Sequence, residues 1–256
     1  MSNIQDSEIT FVIQGPLGKG NIKNTIDSVK LYFPKSKIII STWQGENLDD
    51  EDSVDLVVYN EDPGNSMLSK VLKVANNVNR QIISTRNGLS HVKTKYAFKL
   101  RSDFQIIGKD FLRFFGNHTE YNSEFKVVKE RIVASNFISI NPEKMLKKSH
   151  STPFHLGDLV FFGLTEDLYN LFDIDLVSED EANYFDNDNY NPAQWLSRFV
   201  PEQHIFLKFM RKNQININCD HYYDLGDRQE NIILTHQLFV NNFVLAPLYG
   251  LSLIHI

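Results

Sequence analysis

The sequence predicts one α/β domain built on a mostly parallel, Rossmann-like sheet that is flanked by helices. Its 256 residues are 42% hydrophobic and 23% charged, which is ordinary for a globular domain. β-Branched runs alternate with segments of helical spacing through the first half, and this alternation is typical of a parallel sheet with helices on both faces. No Gly/Ser-rich linker divides the chain, so the less regular second half is expected to belong to the same domain.

Each strand of the first half is predicted from a β-branched run that stops at turn residues. These strands are residues 8–14, 37–43, 54–59 and 96–103. Helices are predicted where apolar residues recur every three or four positions. The first covers residues 22–33 and stops at Pro34, and the second covers 66–93 with a break near 85–88.

The second half gives weaker signals. Strands are predicted over 130–135 and 158–162, and helices are predicted to start at Pro192 and Pro201. Residues 173–189 contain seven acids and neither Lys nor Arg, so a solvated loop is expected there.

Composition excludes several classes of function. The net charge of −6 disfavours nucleic acid as a partner. The single cysteine, Cys219, excludes an intramolecular disulfide and a cysteine-based zinc site. The chain starts with a polar, acidic stretch and has no apolar run of bilayer length, so a cytoplasmic location is expected.

A small basic patch bears on whether the protein also contacts the membrane surface. Lys144, Lys147 and Lys148 surround Met145 and Leu146. This pattern fits a solvated helix face, which is favoured, or a peripheral contact with the inner membrane.

Ligands of a parallel α/β sheet bind at the carboxyl ends of its strands, so the residues there are the candidate site. They are Gln14-Gly15-Pro16, Ser41-Thr42-Trp43, Asp62-Pro63-Gly64 and Arg101-Ser102-Asp103. The segment 15–20 matches neither the dinucleotide-binding nor the P-loop pattern. It is interpreted as a flexible turn or as a turn that passes close to a base or ribose.

Asp103 carries the clearest chemical signal, because it is a carboxylate at the tip of a central strand beside Lys99 and Arg101. Such an acid can hold a divalent cation that bridges a diphosphate, and the two cations can neutralise the remaining phosphate charge. The alternative is that Asp103 caps the following helix and pairs with Arg101.

Further acid–base candidates lie in the second half. Asp158 precedes an apolar strand and could act as a general base, with His155 nearby; a turn residue and a core histidine are the alternatives. His221 or His236 could complete a metal site, although lone histidines are usually not ligands. No G-x-S-x-G motif supports a serine hydrolase.

Seven short blocks in a fixed order resemble the WavE family, which is linked to lipopolysaccharide and capsule synthesis in bacteria. The blocks are residues 13–17, 41–43, 62–64, 79–82, 99–103, 153–158 and 241–244. The resemblance implies a GT-A type, hexosyltransferase-like glycosyltransferase with a nucleotide-sugar half (1–104) and an acceptor half (105–256). Such enzymes carry Asp-x-Asp after the fourth strand, whereas this chain has Arg101-Ser102-Asp103 and keeps only the last acid.

The resemblance and the chemistry of the residues together give an expected role for each candidate. The expected nucleotide-sugar residues are Gln14, Gly15, Pro16, Trp43, Asp62, Asn79, Arg80, Arg86, Lys99 and Arg101. Asp158 is expected to be the catalytic base and His155 to contact the acceptor. Asp103 and His221 are expected to hold Mn²⁺ or Mg²⁺.

The predicted reaction transfers a sugar from a nucleotide sugar to a lipopolysaccharide, lipooligosaccharide or capsular glycan or glycolipid, in one inverting, metal-assisted displacement. Two alternatives remain open. A sugar nucleotidyltransferase would release pyrophosphate from a nucleoside triphosphate. A non-catalytic glycan-binding module would explain the 12% aromatic residues and would need no metal.

Overall fold

The computed structural model describes residues 4–18, 21–69, 71–140, 153–186, 195–222, 224 and 228–255. The strands are β1 Ile9–Gln14, β2 Lys37–Trp43, β3 Leu56–Asn60, β4 Ser66–Ser69, β5 Val74–Asn76, β6 Tyr96–Arg101, β7 Phe104–Ile106, β8 Ile132–Ser135, β9 Phe161–Leu164, β10 Phe243–Ala246 and β11 Leu253–His255. The helices are α1 Asn21–Tyr32, α2 Val78–Ser90, α3 Thr165–Phe172, α4 Glu179–Ala182, α5 Pro201–Lys212 and α6 Arg228–Asn242.

Seven of these strands form the central sheet, in the order β10-β8-β9-β6-β1-β2-β3. β1 pairs in parallel with β2 and β6, β2 with β3, and β8 with β10. β9 alone runs antiparallel to both of its neighbours, β6 and β8. The predicted α/β class with a mostly parallel sheet is therefore confirmed, and the sheet takes strands from both halves of the chain.

Each face of the sheet covers its own hydrophobic core. Phe11 and Ile13 of β1 point to the core that α1 closes, whereas Val12 points to the core that α2 closes with α3, α5 and α6. Successive strand residues face opposite sides, so both cores can be supplied only by an apolar run without alternation. The sequence of β1 has this pattern, and all six of its residues are buried.

Helix α2 approaches the sheet closely because Gly88 has no side chain. A Cβ atom at Gly88 would lie 2.5 Å from Cγ1 of Val12 and 3.1 Å from Cβ of Ser41. The close approach holds the last turns of α2 against β1 and β2, and Ser84 of the same helix reaches Gln14 at the end of β1.

The predicted helix over 66–93 is wrong in its first third. Ser66–Ser69 and Val74–Asn76 form the antiparallel pair β4–β5, and the helix begins only at Val78. It then continues without a break to Ser90. The four-residue spacing of Val71 and Ala75 suggested a helix, but both side chains are exposed. The spacing therefore does not reflect a buried helical stripe.

The solvated loop predicted over 173–189 is wrong for the part that the structure describes. Ile174, Val177 and Phe185 are buried, and α4 begins at a capping box in which Ser178 accepts from the backbone of Glu181. The helix predicted from Pro201 is confirmed as α5, while the start at Pro192 and the lysine patch at 144–148 lie outside the described residues. Helices α3 and α6 and strand β10 had no sequence prediction.

None of the helices in the described parts of the chain is both long enough and apolar enough to cross a membrane.

Candidate functional site

A cleft of about 540 Å³ opens at the carboxyl ends of β1, β2 and β6. β2 and β6 lie on opposite sides of β1, so the order in which the strands are added to the sheet reverses at β1. Open α/β sheets bind their ligands at such a topological switch point. The lining residues are Gln14, Gly15, Pro16, Leu17, Gly18, Trp43, Asp62, Asn77, Arg80, Gln81, Arg101, Ser102 and Asp103.

The loop after β1 forms one wall of the cleft and is fixed to its neighbours. The Gly15 amide donates to the Ser41 carbonyl at 3.1 Å, and the Ser102 hydroxyl donates to the Pro16 carbonyl at 2.6 Å. Gly15 has a φ of +112°, a conformation that side chains disfavour. The glycine therefore keeps the backbone of this wall accessible to a ligand.

Gln14 and Trp43 end their strands inside the cleft. The Oε1 atom of Gln14 accepts a hydrogen bond from the Ser84 hydroxyl of α2 at 2.8 Å, which fixes the amide. Its Nε2 group has no hydrogen-bond partner among the described residues. Trp43 is buried apart from the part of its surface that lines the cleft. Gln14 thus offers a hydrogen-bond donor and Trp43 an aromatic surface.

Two arginine–aspartate pairs bring positive charge into the cleft. Arg80 donates from Nε and Nη2 to the two carboxylate oxygens of Asp62, at 2.7 and 2.6 Å. Arg101 binds both oxygens of Asp103 in the same way. The hydrogen bond from Arg80 holds the pKa of Asp62 below its usual value, so this pair is fully ionised at neutral pH. All four side chains remain 31–39% exposed, so solvent or a ligand can reach them.

The oxygen and nitrogen ligands that the cleft offers do not fit the predicted divalent metal, because its carboxylates are already paired. Asp103 uses both carboxylate oxygens on Arg101, and the other acid of the cleft, Asp62, uses both on Arg80. No group of three or more His, Cys, Asp or Glu side chains in the described parts of the chain could hold a metal ion. His221 lies beside Phe185, 5.4 Å between ring centroids, and does not line the cleft.

A largely buried polar layer lies next to the cleft and contains the buried residues Lys99, His155 and Asp158 and the partly buried Glu202. The Lys99 ammonium donates to the backbone carbonyls of Asp158 and Leu159 at 2.5 and 3.1 Å. Gln81, which lines the cleft, also donates to the Asp158 carbonyl at 3.1 Å. The Asp158 side chain is within the layer, and the residue is only 7% exposed.

Burial shifts the pKa values of three of these groups toward their neutral forms. Desolvation lowers the pKa of Lys99 to about 7 and that of His155 to about 4. Desolvation and the negative charge of Asp158 raise the pKa of Glu202 to about 8. At neutral pH, His155 and Glu202 are therefore mostly uncharged, with 3.7 Å between His155 Nε2 and Glu202 Oε2.

The structure brings eight of the predicted site residues together in the cleft. They are Gln14, Gly15, Pro16, Trp43, Asp62, Arg80, Arg101 and Asp103. Lys99, His155 and Asp158 lie in the adjacent buried layer.

The other predicted residues lie away from the cleft lining. Asn79 exchanges two hydrogen bonds with the Val177 backbone, at 2.8 and 2.9 Å, and Arg86 donates to the Ile174 carbonyl at 3.3 Å. Both therefore tie α2 to the segment before α4. His236 lies on α6, so it does not join His221 and Asp103 in a described metal site.

Sequence reasoning missed Asn77, Gln81 and Glu202. Asn77 and Gln81 could have been identified, because the first turn of a helix that packs across the strand ends faces the same cleft as the strand-end loops. Glu202 had no comparable signal. It follows Pro201 at the start of α5, 44 positions after Asp158, and only the tertiary structure brings the two carboxyl groups together.

The fold and the cleft define a Rossmann-like α/β protein with a cleft at its strand ends that two arginines line. The chain belongs to the WavE lipopolysaccharide synthesis family, whose sequence model matches residues 9–253. The resemblance predicted from the seven blocks is thus confirmed over nearly the whole chain, and membership indicates a role in lipopolysaccharide synthesis. No curated protein matches the chain in sequence.

Proposed function

We propose that this protein is a glycosyltransferase that binds a nucleotide sugar in the strand-end cleft and transfers the sugar to a lipopolysaccharide acceptor. The observation that carries the proposal is the pair of partly exposed guanidinium groups, Arg80 and Arg101, in a cleft at the switch point of the sheet. Membership of a lipopolysaccharide synthesis family supports the choice of acceptor.

The two arginines supply the charge that a diphosphate requires. A guanidinium binds phosphate oxygens with the same two-pronged geometry as a carboxylate, so the diphosphate can replace Asp62 and Asp103 on Arg80 and Arg101. The carboxylates then act as internal anions that occupy the arginines until the nucleotide sugar binds. In this proposal the arginines stabilise the leaving diphosphate as negative charge develops on it.

The nucleoside is assigned to the wall formed by β1 and β2. The ring of Trp43 offers a surface for the base, and the exposed backbone at Gly15 and Pro16 allows close approach of the ribose. The fixed amide of Gln14 presents its Nε2 group to an acceptor atom of the ligand.

Asp158 is proposed as the base that completes the transfer. It takes the proton of the acceptor hydroxyl, whose oxygen forms the new bond to the anomeric carbon while the bond from that carbon to the diphosphate oxygen breaks. One displacement of this kind inverts the anomeric centre. The hydrogen bond from Gln81, which lines the cleft, to the Asp158 carbonyl supports this role, because it holds Asp158 next to the cleft. His155 is proposed to contact the acceptor on the same side.

Calorimetric titration of UDP, GDP, CDP and CMP, each with and without Mn²⁺, tests the site. We expect one nucleoside diphosphate to bind, and Arg101→Gln to weaken that binding about tenfold or more, the loss of a charge-assisted bidentate contact. Arg113→Gln, an exposed arginine outside the cleft, is the matched control and is expected to leave Kd unchanged. If no nucleotide binds the wild-type chain, the assigned site is wrong and a glycan-binding module becomes the better interpretation.

Asp103→Asn distinguishes the arginine mechanism from the metal prediction. If Asp103 serves as the internal anion, the substitution releases Arg101 and strengthens nucleotide binding several-fold without Mn²⁺. If Asp103 holds a cation, the same substitution abolishes Mn²⁺-dependent binding. Release of pyrophosphate from a nucleoside triphosphate would instead identify a nucleotidyltransferase.

A further inference from the structure

A hairpin beside the cleft exposes apolar side chains that the fold does not use. The hairpin consists of β4, β5 and the described turn residues 71–73 between them. Val71 and Leu72 in the turn are 65% and 60% exposed, and Met67 on the outer side of β4 is 49% exposed. Turns usually contain Gly, Asn, Asp or Ser, so two large aliphatic residues at a turn are unexpected for a purely structural connection.

The base of the hairpin is anchored, so the exposed tip has a defined position. Leu68 and Ser69 are buried, and the Leu68 carbonyl accepts a hydrogen bond from the Leu196 amide at 2.9 Å. The Ser69 hydroxyl accepts from the Leu72 amide at 3.1 Å, which holds the turn. The apolar tip therefore projects from a fixed support.

The hairpin also lies next to the candidate site along the chain. Asp62 precedes it and Asn77 follows it, and both residues line the cleft. A surface that contacts the tip of the hairpin would therefore hold the rim of the cleft close to itself.

The hairpin itself is basic, although the chain as a whole carries a net charge of −6. Its sequence contains Lys70 and Lys73 and no Asp or Glu, and Lys73 is exposed in the turn. Three acids lie on α4, which packs against β4, and one of them, Glu181, is paired with Lys208 at 3.0 Å.

We propose that the tip of this hairpin docks on an anionic phospholipid surface, with Val71 and Leu72 entering the interface between headgroups and acyl chains. Exposed aliphatic residues flanked by lysines match such a surface, because apolar insertion and attraction to anionic headgroups act together. Docking would place the cleft at the membrane, where a lipid-linked glycan is accessible. The inference uses neither Arg80 nor Arg101 and does not depend on the proposed reaction.

Sedimentation with phospholipid vesicles tests the proposal on the full chain. We expect the wild type to bind vesicles of phosphatidylcholine with phosphatidylglycerol and to bind pure phosphatidylcholine at least tenfold more weakly. Val71→Ser with Leu72→Ser should reduce binding to the anionic vesicles at least tenfold. Lys73→Gln should reduce it several-fold and flatten its salt dependence.

Leu31→Ser is the matched control, since Leu31 is 73% exposed on α1 and outside the hairpin. It should bind vesicles as the wild type does. Equal binding of the double variant and the wild type would overturn the proposal, as would wild-type binding that is absent or indifferent to anionic lipid. A lower molecular mass of the double variant in sedimentation equilibrium would also overturn it, because a second copy of the chain would then cover the tip.

Nucleotide titration of the double variant separates this inference from the proposed function. An unchanged nucleotide Kd together with lost vesicle binding would support the docking surface on its own. A chain that binds vesicles through the hairpin but binds no nucleotide would retain the docking surface and reject the sugar-donor site.

Discussion

The cleft and the buried layer beside it both combine acidic and basic groups, but the groups of the cleft are exposed to water and those of the layer are largely buried. In the cleft, Arg80 and Arg101 form bidentate pairs with carboxylates that stay 38% and 31% exposed. In the buried layer, Lys99 is fully buried, and its ammonium bonds to backbone carbonyls. The pairing in the cleft therefore favours the ionised forms of Asp62 and Arg80, whereas burial shifts the pKa values of Lys99, His155 and Glu202 toward their neutral forms.

The difference indicates which region can exchange partners. An exposed ion pair contributes at most about 1 kcal/mol, so an incoming diphosphate can displace its carboxylate at little cost. A buried group cannot change its charge or partner without a desolvation penalty. We infer that the cleft is suited to ligand binding and the buried layer to control of protonation. Four substitutions test this division, from the largest expected effect to the smallest.

Asp158→Asn is expected to have the largest effect. Removing a general base lowers turnover about 100-fold or more, while nucleotide binding in the cleft should change little. Sugar transfer and nucleotide titration, measured on the same preparation, check both parts.

Asp167→Asn is the control, because Asp167 is also buried but accepts from the Lys129 and Glu130 amides far from the cleft in the fold. It should lower stability and leave turnover per folded molecule intact. Comparable turnover in Asp158→Asn and the wild type, or a product with retained anomeric configuration, would reject Asp158 as the base.

Glu202→Gln tests the protonation of the buried layer. The pKa of Glu202 rises from 4.5 to about 8 on folding because of burial and the charge of Asp158. Between pH 4.5 and 8 the folded state therefore binds more protons than the unfolded state, and the wild type loses stability as the pH rises through this range. Glutamine does not titrate, so the variant should be similar to the wild type near pH 4.5 and more stable above pH 8, by a few kcal/mol at most.

Urea unfolding at pH 5, 7 and 8.5 measures this difference, with Glu124→Gln as an exposed control that should show none. His155 and Lys99 titrate in both proteins and cancel in the comparison if their surroundings are unchanged. A difference that does not depend on pH would mean that Glu202 is ionised in the folded protein.

Arg80→Gln tests the cleft against a control on the same helix. Arg80 lines the cleft, whereas Arg86 lies further along α2 and donates to the Ile174 carbonyl. We expect Arg80→Gln to raise the Kd for the nucleoside diphosphate about tenfold, the equivalent of about 1.4 kcal/mol. Arg86→Gln should leave this Kd unchanged and lower the free energy of unfolding instead. If Arg86→Gln weakens nucleotide binding and Arg80→Gln does not, the phosphate site lies further along α2 than we propose.

The same contrast explains which parts could be predicted from the sequence. The cleft was largely predictable, because β1, β2 and β6 are mostly apolar runs whose ends fall at Gln14, Trp43 and Arg101. The buried layer was predictable only in part. Asp158 and His155 stand close together in the sequence, but their proximity to Glu202 depends on how α5 packs. The hairpin was missed because its packing on Leu196 is a tertiary contact that local spacing does not encode.

Asp62→Asn should have the smallest effect on stability and therefore tests the division most directly. Asp62 pairs with Arg80 at a partly exposed position, so its loss should cost less than about 1 kcal/mol in urea unfolding. Asparagine can still accept the Gly64 amide bond that Asp62 accepts at 2.9 Å, so the turn should survive. Meanwhile, Arg80 loses its internal anion, and the nucleotide Kd should fall several-fold. A large loss of stability with weaker nucleotide binding would show that the Arg80–Asp62 pair is structural, and the cleft would then resemble the buried layer rather than contrast with it.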